Sequence, residues 1–107
     1  MMLNRWNALG IADLVLASAV AVPPRTLDRW RAGMYPQADR REKVRALDDL
    51  YQRLTTSFGE DDAEGLRTWL HADNRYLGGL KPVEALKAGR LDRVEAALIA
   101  LDEEFFV

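Results

Sequence analysis

The stretch WLHADNRYLGGLKPVEALKAGRLDRV, Trp69 to Val94, decides how this chain is read. Gly78 and Gly79 are adjacent, Pro82 follows, and Gly89 closes the run PVEALKAG. Proline suits the first position of a helix, where its missing N–H had no partner to lose. Glycine just past the last turn takes the left-handed conformation that ends helices. PVEALKAG, residues 82–89, therefore reads as a short helix with Glu84 in its first turn. DNRYLGGLK reads as a shaped connector leading into it.

The same grammar extends in both directions. After Gly89 a last helix is expected over about 91–104, with the apolar stripe Leu91, Val94, Leu98, Leu101, Phe105 at spacings of 3 and 4. Before the connector, GEDDAEG places Asp61, Asp62 and Glu64 where the positive end of a helix dipole favours acids. The helix that follows carries Leu66, Trp69 and Leu70. Farther upstream, a helix over about 39–57 carries Val44, Leu47, Tyr51, Leu54 and Phe58 at the same spacing. PRTLDRWRA, residues 24–32, opens on Pro24 and stops at Gly33. Residues 11–21 are apolar almost all round, which suits a helix buried by its neighbours. Pro23 keeps Val22 out of the α region, so Val22 and Pro23 are expected to form the turn. Residues 3–9 suit a short helix with Leu3, Trp6 and Leu9 inward. The expected fold is all-α, a compact bundle of about six to seven short helices. Strand signals are nearly absent.

Length and composition set limits. With 107 residues the chain suits one domain, or two small modules sharing a core. It has no cysteine and one histidine, His71, which excludes disulfide scaffolds, cysteine or His-rich metal sites, and any mechanism needing two imidazoles. No cofactor is expected. The run LVLASAVAV, residues 14–22, is too short to span a membrane. Its Ala19-Val20-Ala21 resembles a signal-cleavage site, but Asp13 abuts the run and only Arg5 precedes it, so a buried helix and a cytoplasmic location are the expectation.

The net charge is −2, unevenly spread. Residues 1–45 hold eight basic residues against four acidic ones, giving +4; the remaining seven basic and thirteen acidic residues give −6. Such asymmetry points to two surfaces with different partners.

Residues 11–31 form a short helix, a tight turn and a second short helix with a basic exposed face. One reading is an αα-hairpin with a solvated surface. The other is a helix-turn-helix, whose second helix places its first residues against base edges. Arg25 and Thr26 hold those positions, and Arg29, Arg31, Arg40 and Arg41 are candidates for phosphate contacts. Such a reader needs a symmetric oligomer to present two helices.

The connector carries a further signal. The pattern W-L-x-x-x-N-x-x-L-G-G-x-x-P-x-x-x-L-x-x-G-x-x-x-x-V, in Trp69, Leu70, Asn74, Leu77, Gly78, Gly79, Pro82, Leu86, Gly89 and Val94, resembles the toxin-binding domain of the Xre/MbcA/ParS antitoxins. Arg25-Thr26-Leu27-Asp28-Arg29-Trp30 resembles the second helix of the Xre-like DNA-binding region that precedes it in such proteins. The resemblance covers about residues 11–107. It departs in two places: Asp102-Glu103-Glu104 stand where many relatives have a glycine, which lets the helix run on into the tail, and the N-terminal segment is short.

The resemblance implies two parts: an Xre-like region with its connecting helix over 1–57, and a toxin-binding domain over 58–107. It implies an antitoxin that neutralises a RES-domain toxin, which consumes NAD⁺ or transfers ADP-ribose, by blocking its active site with the C-terminal region. Binding of operator DNA and a homodimer within a larger toxin–antitoxin assembly are implied as well. Trp69, Asn74, Leu77, Gly78, Gly79, Pro82, Phe105, Phe106 and Val107 are then the toxin-binding candidates. Phe106 and Val107 lie past the last stripe position. An aromatic there supplies apolar burial of about 2 kcal/mol on a partner, and the terminal carboxylate suits arginines that otherwise hold phosphates. The alternatives are a tail folded back on its own domain and a stand-alone helix-turn-helix regulator without a toxin partner. Catalysis has little support: His71 at a helix end is better read as a dipole partner.

Overall fold

The computed structural model describes the backbone of residues 2–106 and the side chains of residues 3–104. The described chain is all-helical: α1 (Met2–Ala8), α2 (Asp13–Ala19), α3 (Pro24–Arg31), α4 (Ala38–Phe58), α5 (Ala63–Leu70), a 3₁₀ turn (Arg75–Leu77), α6 (Pro82–Lys87) and α7 (Leu91–Phe106). The expected bundle is what forms. None of these helices is long and apolar enough to cross a membrane.

Proline and glycine set the boundaries as expected. Pro24 and Pro82 occupy the first turns of α3 and α6. Gly33, Gly59 and Gly89 follow the ends of α3, α4 and α6 with positive φ. Asp62 caps α5 by accepting from the Gly65 N–H at 3.0 Å, which satisfies one of the donors a helix start leaves over.

Among the described residues one cluster of buried side chains runs from Leu3, Trp6, Ile11, Leu16 and Val20 to Leu77, Leu86, Val94 and Leu98. Helix α2 lies at its centre, packed by α1, α3 and α6. The long α4 holds α5 and α7. Trp6 is fully buried and meets Tyr51 edge to face at 5.4 Å, seating α1 on α4.

Three details differ from the sequence reading. Helix α2 is shorter than 11–21, and it is not enclosed all round: Leu14 is 60 % exposed. Its three neighbours leave that side open. The turn after it is made at Ala21, whose φ is +58°, before Pro23. The buried face of α4 includes Leu50 beside the expected Leu47 and Leu54, with Val44, Tyr51 and Phe58 half-buried. Helices α1, α5 and α7 all pack on α4, so one stripe is too narrow. Arg53 donates to Glu95 at 2.8 Å and Ser57 to Asp102 at 2.9 Å along the α4–α7 seam.

Candidate functional site

The connector is built around Asn74, the one polar residue among those described that is buried. Its side-chain oxygen accepts from the Tyr76 N–H at 2.9 Å and so caps the 3₁₀ turn. Its own N–H donates to the Leu80 carbonyl at 3.0 Å, and its carbonyl accepts from the Leu77 and Gly79 N–H groups. A single residue thereby closes the loop from 74 to 80. Gly78 and Gly79 reverse the chain with φ of +68° and +91°, conformations that glycine reaches without the steric penalty of a Cβ. Leu77 and Pro82 point inward. Trp69 is half-buried against Phe58, ring centroids 5.9 Å apart.

The connector is tied to the far end of α7. The Tyr76 hydroxyl donates to Glu104 Oε1 at 2.6 Å. Arg75 donates to the same oxygen and, at 3.0 Å, to the Tyr76 hydroxyl. Its guanidinium also lies 5.0 Å from the Tyr76 ring centroid. The Tyr76 hydrogen bond, with the Arg75 charge behind it, holds the Glu104 carboxyl below the usual carboxylate range. Glu104 immediately precedes Phe105, Phe106 and Val107, whose side chains lie outside those described; the α7 backbone itself continues to Phe106.

Of the toxin-binding candidates, Trp69, Asn74, Leu77 and Pro82 therefore shape the connector from within, and Gly78 and Gly79 stand on its surface. The sequence reading missed Arg75, Tyr76, Leu80 and Glu104. Tyr76 and Leu80 are 44 % and 51 % exposed. Tyr76 and Arg75 sit inside the quoted motif, but their shared partner Glu104 is 28 and 29 residues downstream, beyond any local pattern.

Arg25 and Arg29 are exposed on one face of α3, one turn apart. Thr26, Arg29 and Arg40 line a single groove together with Trp30 and Tyr35, the latter 88 % exposed. Arg40 lies 3.6 Å from Asp39, and Arg41 Nε donates to the Pro36 carbonyl at 3.1 Å.

Arg31 is placed apart from these. It forms a two-pronged pair with Asp13, Nη1 to Oδ2 at 2.7 Å and Nη2 to Oδ1 at 2.8 Å. Nη2 also donates to Asn7 Oδ1 at 2.8 Å, and Nε to Asn4 Oδ1 at 3.0 Å. Asn7 in turn donates to Asp13 and to the Ile11 carbonyl. The Arg31 hydrogen bonds hold the Asp13 carboxyl below its ordinary range.

His71 ends α5 with Nε2 3.1 Å from the Leu9 carbonyl oxygen, a contact that fastens α5 to the α1–α2 loop. Among the described residues no three His, Cys, Asp or Glu side chains gather as a metal site would require.

Sequence comparison agrees with this architecture. Residues 53–103 match the family model described as the Antitoxin Xre/MbcA/ParS C-terminal toxin-binding domain, spanning α5, the connector, α6 and most of α7. The chain belongs to the Xre/MbcA/ParS antitoxin family. It is similar to the "Probable mycobacterial cidal antitoxin Rv3188" of Mycobacterium tuberculosis, 32 % identical over 88 residues that cover 82 % of this chain and 73 % of that protein. It is similar also to the "Mycobacterial cidal antitoxin MbcA" of Mycobacterium bovis, 29 % identical over 100 residues, 92 % of this chain and 86 % of that one. No solved structure matches the chain.

Proposed function

We propose that this antitoxin-family chain neutralises a RES-domain, NAD⁺-consuming toxin by laying its C-terminal region across the toxin's active site. One observation carries the reading: the family's connector is bonded through Arg75 and Tyr76 to Glu104, the residue next to the tail. A segment that braces the end of α7 fixes the direction of the helix backbone that runs on to Phe106. Tyr76, Gly78, Gly79 and Leu80 supply an exposed, partly apolar edge beside it, of the composition that stable protein interfaces bury. Trp69, Asn74, Leu77 and Pro82 keep that edge in shape. In this reading residues 58–107 engage the toxin and residues 1–57 serve DNA.

The second half of the proposal is operator binding by α3. Arg25, Thr26 and Arg29 face the major groove, with Arg40 and Arg41 near the flanking phosphates, in a homodimer inside a larger toxin–antitoxin assembly. The shared groove of Thr26, Arg29 and Arg40 supports it, as does the +4 balance of residues 1–45, eight basic against four acidic.

The test is co-purification with the RES-domain product of a neighbouring gene, followed by NAD⁺ consumption with and without this protein. Suppression by the full chain, lost when residues 105–107 are deleted and the helical content is unchanged, is the expected result. A truncated chain that still suppresses NAD⁺ loss sinks the blocking-tail reading.

A further inference from the structure

Four of the five N–H groups of Arg31 are taken by Asp13, Asn4 and Asn7. The remaining side of the guanidinium lies 3.8 Å from Asp28. These partners come from α1, from the first residue of α2 and from α3 itself, so one side chain ties together the three N-terminal helices. Helix geometry places Arg31 about 160° round α3 from Arg29. The side chain is accordingly only 21 % exposed, whereas Arg25 and Arg29 are open to solvent. To reach a phosphate, Arg31 must leave a paired carboxylate and two amide oxygens, and Asp13 would then face the phosphate uncompensated.

We infer that Arg31 is a positioning residue: it fixes the roll of α3 against α1 and α2, so that Arg25 and Arg29 present one face together, and it makes no contact with nucleic acid. This rests on the reading of α3 as a DNA-binding helix. It gives α1 a task, since Asn4 and Asn7 hold two of the four bonds.

The opposed models differ in sign at Asp13. If Arg31 were a phosphate contact, removing the neighbouring negative charge would strengthen binding. If Arg31 is a clamp, the same change loosens α3 and weakens binding. The experiment uses the full chain and a fluorescent duplex covering the DNA immediately upstream of its own reading frame, titrated over a range of salt concentrations. Asp13→Asn and Arg31→Met are expected to weaken binding together, by about tenfold, with the slope of log K against log salt as in the parent. Arg29→Met is the comparison, and loss of its contact should lower that slope by about 0.9. A tighter Asp13→Asn complex, or a slope in Arg31→Met that falls as in Arg29→Met, overturns the assignment. Arg31→Lys keeps the charge without the fork and serves should Arg31→Met fail to fold; it is expected to weaken binding without changing the slope. Amide exchange decides the clamp separately from the DNA reading. Faster exchange across Leu27 to Arg31 in Asp13→Asn supports it even if the parent binds no duplex, an outcome that removes the DNA reading alone. Unchanged exchange there overturns the clamp.

Discussion

The Ser18 hydroxyl donates to the carbonyl oxygen of Lys87 at 2.6 Å, joining α2 to the last residue of α6. A helix leaves its final carbonyls without intrahelical donors, and here the donor comes from a helix 69 residues away. The bond lies where the N-terminal helices meet the toxin-binding region, beside the buried Leu16, Val20 and Leu86.

Leu86 is fully buried on that seam. Leu86→Ala should cost about 2–5 kcal/mol, the range for deleting a buried leucine side chain. Because Trp6, Trp30 and Trp69 lie in different parts of the chain, urea unfolding followed by tryptophan fluorescence should coincide with unfolding followed by circular dichroism, in parent and variant alike. Two separated transitions would show that the halves melt independently.

Ala21 carries a left-handed backbone at φ +58° in the α2–α3 turn. That conformation costs a residue with a Cβ about 1–2 kcal/mol, while glycine gives back about 0.4–1 kcal/mol through the freer unfolded chain. Ala21→Gly is therefore expected to raise stability by up to about 1 kcal/mol, and Ala21→Val to lower it. Thermal melts of the two variants check both signs.

Asp13 is depressed by its Arg31 hydrogen bonds. Its folded pKa lies below the unfolded value of about 3.9, so its contribution is fully present above that value and fades as pH falls through the folded pKa. The stability gap between parent and Asp13→Asn should stay level from about pH 7 to about pH 5 and narrow below about pH 4. A gap that stays level into strong acid would show that the Asp13 charge is not what the pairing uses.

Asn74→Ala removes the acceptor for the Tyr76 N–H. Loss of such a cap costs about 1 kcal/mol. Hydrogen exchange should accelerate first at Tyr76, then at Leu77 and Gly79, whose acceptor is the Asn74 carbonyl. Equal protection in parent and variant would mean that the connector holds its shape by packing alone.

Much of the fold was legible because its punctuation is chemical. Pro24, Pro82, Gly33 and Gly89 each constrain their own backbone, and helix boundaries followed within a residue or two. What stayed hidden depends on partners distant in sequence. Leu14 reads as core but is 60 % exposed, and Leu50 lies off the expected stripe of α4 yet is buried. Arg31 looks like its neighbours Arg25 and Arg29 until α1 arrives with Asn4 and Asn7. Glu104 looks solvated until the connector brings Tyr76 to it. Ala21 gives no sign of its backbone, since alanine normally avoids that region.

The single buried cluster also governs how the protein is dismantled. A protease needs an opened stretch of chain to cut, and openings that expose shared core expose it for every helix at once. Among the described residues the buried side chains form one shared cluster, so a cut fragment is expected to keep only part of it. Limited digestion should therefore show the intact band fading without a long-lived intermediate. A persistent half-length fragment would show that one region can stand alone. Destruction of this chain is then an all-or-nothing event, in which its basic face and its connector disappear together.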